Sequence, residues 1–336
     1  MYKVVVNEFG GIDKLTLVDQ DTPAPGAGQV LVKLTSVGMN HAELMARRGE
    51  YKIASGDPPF IPGLEGGGVV EAVGQGVGSR SVGQRVVLGL DAPRAALGGE
   101  GTYQSHYLVD ADRAIPAPDA LADEQLGAIW LPYLTAWGCL VWKQALKPGQ
   151  FVLLPAASSS VALAASQLVK EVGATAIGTT RSPDKVEALE SMDEAMYDEV
   201  VLTTDADWWK RVKRITGGHN CDVVFDPVAA GEFLNTEVRL LADEGTLWIY
   251  GLLGEPAPND LTPLIRKRAA IRGWALTELA AAGGPSLQAG YDHVLARLAD
   301  GRYKLPVART YPLRNVQQAH EEMEKGRHIG KLVLIP

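Results

Sequence analysis

Up to about residue 119, apolar residues come in short runs broken by glycine and proline turns. The runs at 3–6, 15–18, 30–37, 68–73, 84–88 and 105–109 have the length and the valine content of strands, and together they predict a compact β-rich domain. From residue 151 the rhythm changes. Apolar runs at 151–154, 174–179, 222–225 and 246–250 are separated by stretches of helical spacing at 161–170, 183–190 and 208–216. Strands that alternate with helices imply a parallel sheet covered on both faces. After about residue 271 the pattern predicts a helix over 286–300, another over 316–325 and a closing strand over 331–335, a tail expected to return to the first domain. The expected fold class is α/β: a β-rich domain from 1–119 and 272–336, and a doubly wound parallel-sheet domain from 120–271.

Length and composition agree with this division. At ~150 residues per domain, 336 residues make two, and 46% hydrophobic content is ample for two cores. A formal charge of −8, from 32 basic and 40 acidic residues, argues against nucleic acid or an anionic membrane as the main partner. The two cysteines, Cys139 and Cys221, are far apart and form neither a disulfide framework nor a zinc ribbon, which fits a reducing cytoplasm. The N-terminal MYKVVVNEFGG has no signal-peptide apolar block. The most apolar window, 127–142, is interrupted by Pro132 and falls short of the ~20 residues of a spanning helix, so a soluble protein is expected.

Candidate chemistry concentrates between residues 151 and 185, in FVLLPAASSSVALAASQLVKEVGATAIGTTRSPDK. A pyrophosphate rests on a helix N-terminus only where the backbone is bare enough for close approach. Ser158, Ser159, Ser160 and Ala162 are small, and the stretch through Val161 opens a helix. Serines in place of glycines also fit an ordinary helix start with a serine N-cap. The second strand favours the nucleotide reading. It ends about 20 residues on, where an NAD enzyme presents a carboxylate to the adenosine ribose. Here stand Thr180, Arg181 and Ser182, with Lys185 one turn further. A guanidinium binds a ribose 2′-phosphate through paired charge-assisted hydrogen bonds, and an Asp repels it, so NADPH is expected over NADH. Otherwise Arg181 is a solvated surface charge.

The segments VGMNHAELMARRGEY, IPGLEGGGVVEAVG, VGQRV, GTYQSHYLV, LTAWGCL, AASSSVA, ITGGHNCDVVFDPV, GTLWIYG and GKLVL follow one another in this order. With them the chain resembles, over nearly its whole length, the zinc-free quinone oxidoreductase-like and enoyl reductase-like branch of the medium-chain dehydrogenase/reductase superfamily. The resemblance implies a GroES-like β-domain built from both chain ends, an inserted Rossmann domain, an active cleft between them and a homodimer joined through the Rossmann sheets. Zinc-dependent relatives place a Cys near position 40 and a His before the Glu of the Pro-Gly-x-Glu turn. This chain has Asn40 and Leu64 there, and its histidines show no HxxxH or HxxC spacing. No metal is expected. Glu65 is expected to be structural, satisfied by backbone donors around 66–68.

Without zinc, oxidation of an unactivated alcohol loses the main means of lowering a hydroxyl pKa from ~15.7. Hydride addition to a conjugated carbonyl yields a delocalised enolate that one or two hydrogen-bond donors can stabilise. Reduction of a quinone, enone or enoyl thioester is therefore the expected class. The pattern N-x-x-E-x-x-x-x-x-G-x-Y from Asn40 through Glu43 and Gly49 to Tyr51 resembles that of zinc-free reductases. It implies Tyr51 facing the cleft and Asn40 near the nicotinamide ribose. Asn40 is equally a helix N-cap with Glu43 its capping-box partner, and Tyr51 can simply pack behind the loop. By resemblance, Thr135 is expected near the nicotinamide amide, Tyr250 and Gly251 near the cofactor, and Lys331 near its phosphates or nicotinamide. Loops at 51–60, 91–101 and 252–264 are expected to wall the pocket. Two competing functions stay open: a low-turnover NADPH-binding protein, crystallin-like or RNA-binding, and an atypical metal-dependent alcohol dehydrogenase.

Overall fold

A computed structural model of the chain describes residues 1–52, 55–90, 100–255 and 257–336. Most of the expected pocket-wall loop 91–101, with residues 53–54 and 256 of the other two, lies outside them. The described chain forms two compact units, the first Met1–Leu131, Leu295–Gly301 and Leu305–Pro336, the second Pro132–Val294 and Arg302–Lys304. Local packing explains where these bounds differ from the expected 119 and 272. Before Leu131, the Ser36 hydroxyl donates to Asp123 O (2.7 Å) and accepts from Gly127 N (2.8 Å), which holds that stretch in the first unit. After Gly273, the Trp274 indole donates to Thr135 O (3.0 Å) and stacks over Gly138, which holds the following residues in the second.

In the first unit, β1 (Tyr2–Val6) pairs with β2 (Leu15–Asp19), and β3 (Gln29–Gly38), β4 (Gly67–Val73), β5 (Arg85–Leu88), β6 (His106–Asp110) and β7 (Ala114–Pro116) belong to a larger sheet. Alternation sets their inner face: Val30, Val32 and Leu34 of β3 pack with Val70, Val86, Leu88 and Tyr107. Each such side chain, fully buried, contributes about 1.5–3 kcal/mol. The second unit holds β8 (Phe151–Leu154), β9 (Thr175–Thr180), β10 (Glu199–Leu202), β11 (Cys221–Asp226), β12 (Leu241–Ile249) and β13 (Ala270–Gly273), all parallel, in the order β10-β9-β8-β11-β12-β13. This is the doubly wound order. It reverses between β8 and β11, and in such sheets ligands bind outside the strand C-termini at that reversal. β14 (Val307–Pro312) and β15 (Lys331–Ile335) complete the first sheet, in the order β14-β15-β3-β4-β5-β7 with β6 also on β3. The fold class is thus α/β, a GroES-like sheet unit with a Rossmann parallel-sheet unit. Among the described residues no helix is long and apolar enough to cross a membrane.

One glycine shows how closely the second sheet is packed below its ligand edge. A Cβ on Gly178 of β9 would lie 2.9 Å from the Tyr197 ring and 3.0 Å from Ala157 Cβ. The ring is pinned, because the Tyr197 hydroxyl donates to Ala157 O at 2.8 Å. Gly178→Ala is expected to cost about 1–3 kcal/mol through overpacking. Urea unfolding measures this, and an unchanged midpoint would show that the ring yields freely.

Candidate functional site

The candidate residues fall into two groups, one in each unit. In the second unit the turn between β8 and the helix Ser160–Val172 is built as the sequence suggests. Ser159 is the N-cap and its hydroxyl accepts from Ala162 N at 3.2 Å, while Gly173 closes the helix in the left-handed region. Ala156 turns the chain with φ 52, a conformation that glycine adopts more cheaply. With Ser159 committed to Ala162, the first-turn amides of Ser160 and Val161 have no intrahelical acceptor and point toward any anion placed there. Ser159 thus realises the N-cap reading, and the amides of Ser160 and Val161 are left to serve the phosphate reading.

The cations converge on the same turn. Lys185, on the helix Pro183–Ser191, donates to Ser158 Oγ at 3.0 Å. Burial and then neighbouring Arg181 push its ammonium below the ordinary lysine value, so the pair gains from an anion between them. Arg181 is exposed and, among the described residues, its guanidinium has no hydrogen-bond or ion-pair partner. Thr180 is buried and its hydroxyl accepts from Ser182 N at 3.2 Å, a tight turn that carries Arg181 off the end of β9. No carboxylate follows β9 before Asp184. The donor set fits a phosphorylated dinucleotide: amides and small residues for the pyrophosphate, two cations for a further phosphate.

Across the reversal, buried Asp226 ends β11 and accepts from Val228 N (2.6 Å) and Ala229 N (2.7 Å), which shapes the next turn. Tyr250 follows β12 and stacks on Phe225 with centroids 4.0 Å apart. Its hydroxyl is buried beside Ser159, short of a sound hydrogen bond, and burial raises its pKa. Gly251 is bare by necessity, since a Cβ would lie 2.8 Å from Pro227 O. Thr135 sits in the helix Trp130–Trp137, 7% exposed, just before the π-helical stretch Gly138–Lys143. The sequence signals missed Asp226 and its buried neighbour Glu237, whose carboxyl is pushed well up by burial and by Asp226. A paired acid on a strand end and on the next helix has no distinctive spacing.

In the first unit, Asn40 caps the helix His41–Arg48 in a capping box: Glu43 Oε2 accepts from Asn40 N at 2.8 Å. Asn40 Oδ1 accepts from Lys331 Nζ at 2.6 Å, and Lys331 forms an ion pair with Glu65 at 2.6 Å. Glu65 also accepts from Leu131 N at 3.0 Å and from Asn40 Nδ2 at 3.3 Å, so its partners are an ammonium, a carboxamide and a distant amide and not the 66–68 backbone. Lys331, expected near the cofactor's phosphates or its nicotinamide, has its ammonium engaged in this buried cluster. Burial pushes Glu43 up to about 7, with Lys331 and Asn40 opposing the shift. Leu64 supplies a backbone N–H to Glu43 (3.2 Å), and His41 is exposed. Tyr51 lies past the C-cap Gly49, half-buried against the first unit's core and outside the Asn40 network. Eight helical residues, about 12 Å of rise, separate the two positions.

The far end of that helix is fixed by a second buried cluster. Arg47 donates to Gly10 O (3.1 Å), to Glu324 (2.6 Å) and to His320 Nδ1 (3.3 Å), and His320 Nε2 meets the Tyr103 hydroxyl at 3.2 Å. His320 lies on the helix Val316–Lys325 and is 0% exposed. Burial and then Arg47 lower its pKa to about 3, so it is neutral.

Comparison with known proteins agrees with this architecture. Residues 26–119 match the alcohol dehydrogenase GroES-like domain family and residues 160–284 the zinc-binding dehydrogenase family. The chain is 30% identical to the human synaptic vesicle membrane protein VAT-1 homolog, over 99% of this chain and 86% of that one. It is also 30% identical to a quinone oxidoreductase of Salmonella typhimurium, over 99% of both. A 2-haloacrylate reductase of Burkholderia is 28% identical over 99% of this chain and 98% of that one. The solved structure of Escherichia coli quinone oxidoreductase complexed with NADPH superposes with a TM-score of 0.86 at 28% identity, covering 100% of both chains. By its ordered motifs, its two-unit fold and these relatives, the chain belongs to the medium-chain dehydrogenase/reductase superfamily, in its quinone oxidoreductase-like branch.

Proposed function

We propose that the protein is an NADPH-dependent, metal-independent reductase of conjugated carbonyl acceptors, that is of quinones, enones or enoyl thioesters. The observation that carries this reading is the pairing of Arg181 with Lys185 beside Ser158 past the end of β9, where the first residue after the strand is Arg181 and no carboxylate comes before Asp184. Relatives that reduce quinones and a haloacrylate, and a neighbour bound to NADPH, support it.

Bound NADPH supplies a hydride. The chain's own residues do the rest: Ser160 and Val161 amides take the pyrophosphate, Arg181 and Lys185 the 2′-phosphate, and Tyr250, Gly251 and Thr135 border the remainder of the cofactor. The Tyr51 hydroxyl donates a hydrogen bond to the oxygen on which negative charge develops, with Asn40 as the second polar group. Asn40 and Leu64 replace nitrogen and sulfur ligands, which leaves hydrogen bonds to do the stabilising. The protein acts in the cytoplasm as a homodimer.

An NADPH-consumption screen over quinones, enones and enoyl thioesters, repeated with NADH, tests the class. Tyr51→Phe is expected to lower kcat about 100-fold with KM little changed, as the loss of one donor of ~2.7–4 kcal/mol predicts. Unchanged turnover removes Tyr51 from the chemistry. Stoichiometric zinc in the purified protein, with turnover sensitive to chelators, would replace this reading by the alcohol dehydrogenase one.

A further inference from the structure

Asn40, Glu65 and Lys331 come from separate stretches of the chain, and the β3–β15 ladder brings the outer two together. Val333 lies opposite Gly38 and Leu334 opposite Val37, and Met39 N donates to Leu332 O at 3.0 Å. Continued by two residues, that antiparallel register sets Lys331 across from Asn40. Lys331 and Glu65 are each 1% exposed. Gly38 makes room for them, since a Cβ there would lie 2.6 Å from Glu65 Oε1 and 2.8 Å from Lys331 Cε.

An ammonium has only protons to give, so the Asn40 atom that faces it must be the carbonyl oxygen. The short 2.6 Å contact holds that oxygen firmly. The amide nitrogen is held loosely, its acceptors Glu43, Glu65 and Gly38 O standing at 3.3, 3.3 and 3.4 Å. Orientation is what a buried ammonium adds here, because apolar side chains of similar volume stabilise an interior as well or better.

We propose that Lys331 is a positioning residue of the reductase site: locked to Glu65, it fixes the direction in which the Asn40 carboxamide presents its N–H groups. This rests on the reading of Asn40 as a site residue, and two measurements separate the claims. The first needs no substrate. Thermal unfolding of wild type, Lys331→Met, Asn40→Ala and the double variant is expected to show strongly non-additive midpoint shifts, and additive shifts overturn the proposal. If Lys331→Met does not fold, Glu65→Gln replaces it in the same cycle, with the same two outcomes.

The second is kinetic, with NADPH and any acceptor that wild type reduces. Lys331→Met is expected to lower kcat 10- to 100-fold with KM for NADPH within about threefold, and Lys331→Arg to recover part of it. Methylammonium is expected to restore turnover to Lys331→Ala. A lowered melting temperature with kcat unchanged assigns Lys331 to structure alone and overturns the proposal. If wild type reduces no acceptor, the proposed function fails, and the unfolding cycle still decides the Lys331–Asn40 contact.

Discussion

Replacing Arg181 and Lys185 together by alanine is expected to lower kcat/KM for NADPH about 100- to 1,000-fold while kcat/KM for NADH changes less than about threefold. The magnitude follows from the chemistry of the pair. Hydrogen bonds to a charged group contribute about 1.5–3 kcal/mol each, and a guanidinium can offer two to one phosphate. Exposure of Arg181 sets an upper limit, because salt screens a surface charge. The selectivity of wild type should accordingly weaken as ionic strength rises. Lys185 is better shielded, and burial together with Arg181 already disfavours its charge, so an incoming phosphate relieves a repulsion as well as gaining two partners. Arg181→Ala alone should account for the larger share. Steady-state kinetics with both coenzymes read all of this, and a double variant that keeps its preference for NADPH would place the 2′-phosphate elsewhere.

Arg47→Met is expected to destabilise the protein by about 3–5 kcal/mol at pH 7.5, the range for breaking a buried charge network from one side. The substitution keeps much of the volume but leaves Gly10 O and His320 Nδ1 without their donor. Glu324 retains Arg48 at 2.6 Å, which keeps the cost inside that range. The effect should shrink in acid. His320 has a folded pKa lowered to about 3 from 6.5, so the unfolded chain binds the extra proton as pH falls. The stabilisation from a neutral His320 is therefore complete above pH ~6.5 and declines toward pH 3, at on the order of 1 kcal/mol per pH unit. Without Arg47 the folded pKa rises toward its ordinary value, and the variant loses less than wild type over that interval. Glu43 shifts the opposite way in both proteins and cancels in the comparison. Urea unfolding at pH 7.5 and 5 decides it. A cost below about 1 kcal/mol, or one equal at the two pH values, refutes the account.

What the sequence made legible was local. Period and turn chemistry located β8, β9, β11 and the helix after Ser159, because each is a run of like residues closed by its own punctuation. The strand β10, only four residues opened by Glu199, and the helix Gly231–Leu240, which starts on glycine without a capping side chain, carry too little of either signal. At the site the same division holds. Ser159 as N-cap and the Asn40–Glu43 capping box are three-residue relations that a reader of the chain can see. The Lys331–Glu65 pair is a product of strand register, and nothing near Glu65 in sequence announces an ammonium 2.6 Å away. Tyr250 and Gly251 are recognisable only as the residues that follow a strand, and their neighbours Phe225 and Pro227 lie in β11 and just past its end.

The place of β15 between β14 and β3 has a consequence for biosynthesis. Asn40 and Lys331 are 291 positions apart, so at ~5–20 residues per second a ribosome takes roughly 15–60 s to deliver the second after the first. Through that interval the edge that Val37 and Gly38 offer to β15 lacks its partner strand, while the β8–β13 sheet of the second unit is completed before β15 is made. The nascent chain therefore carries an unpaired strand edge in its first unit until its last residues arrive.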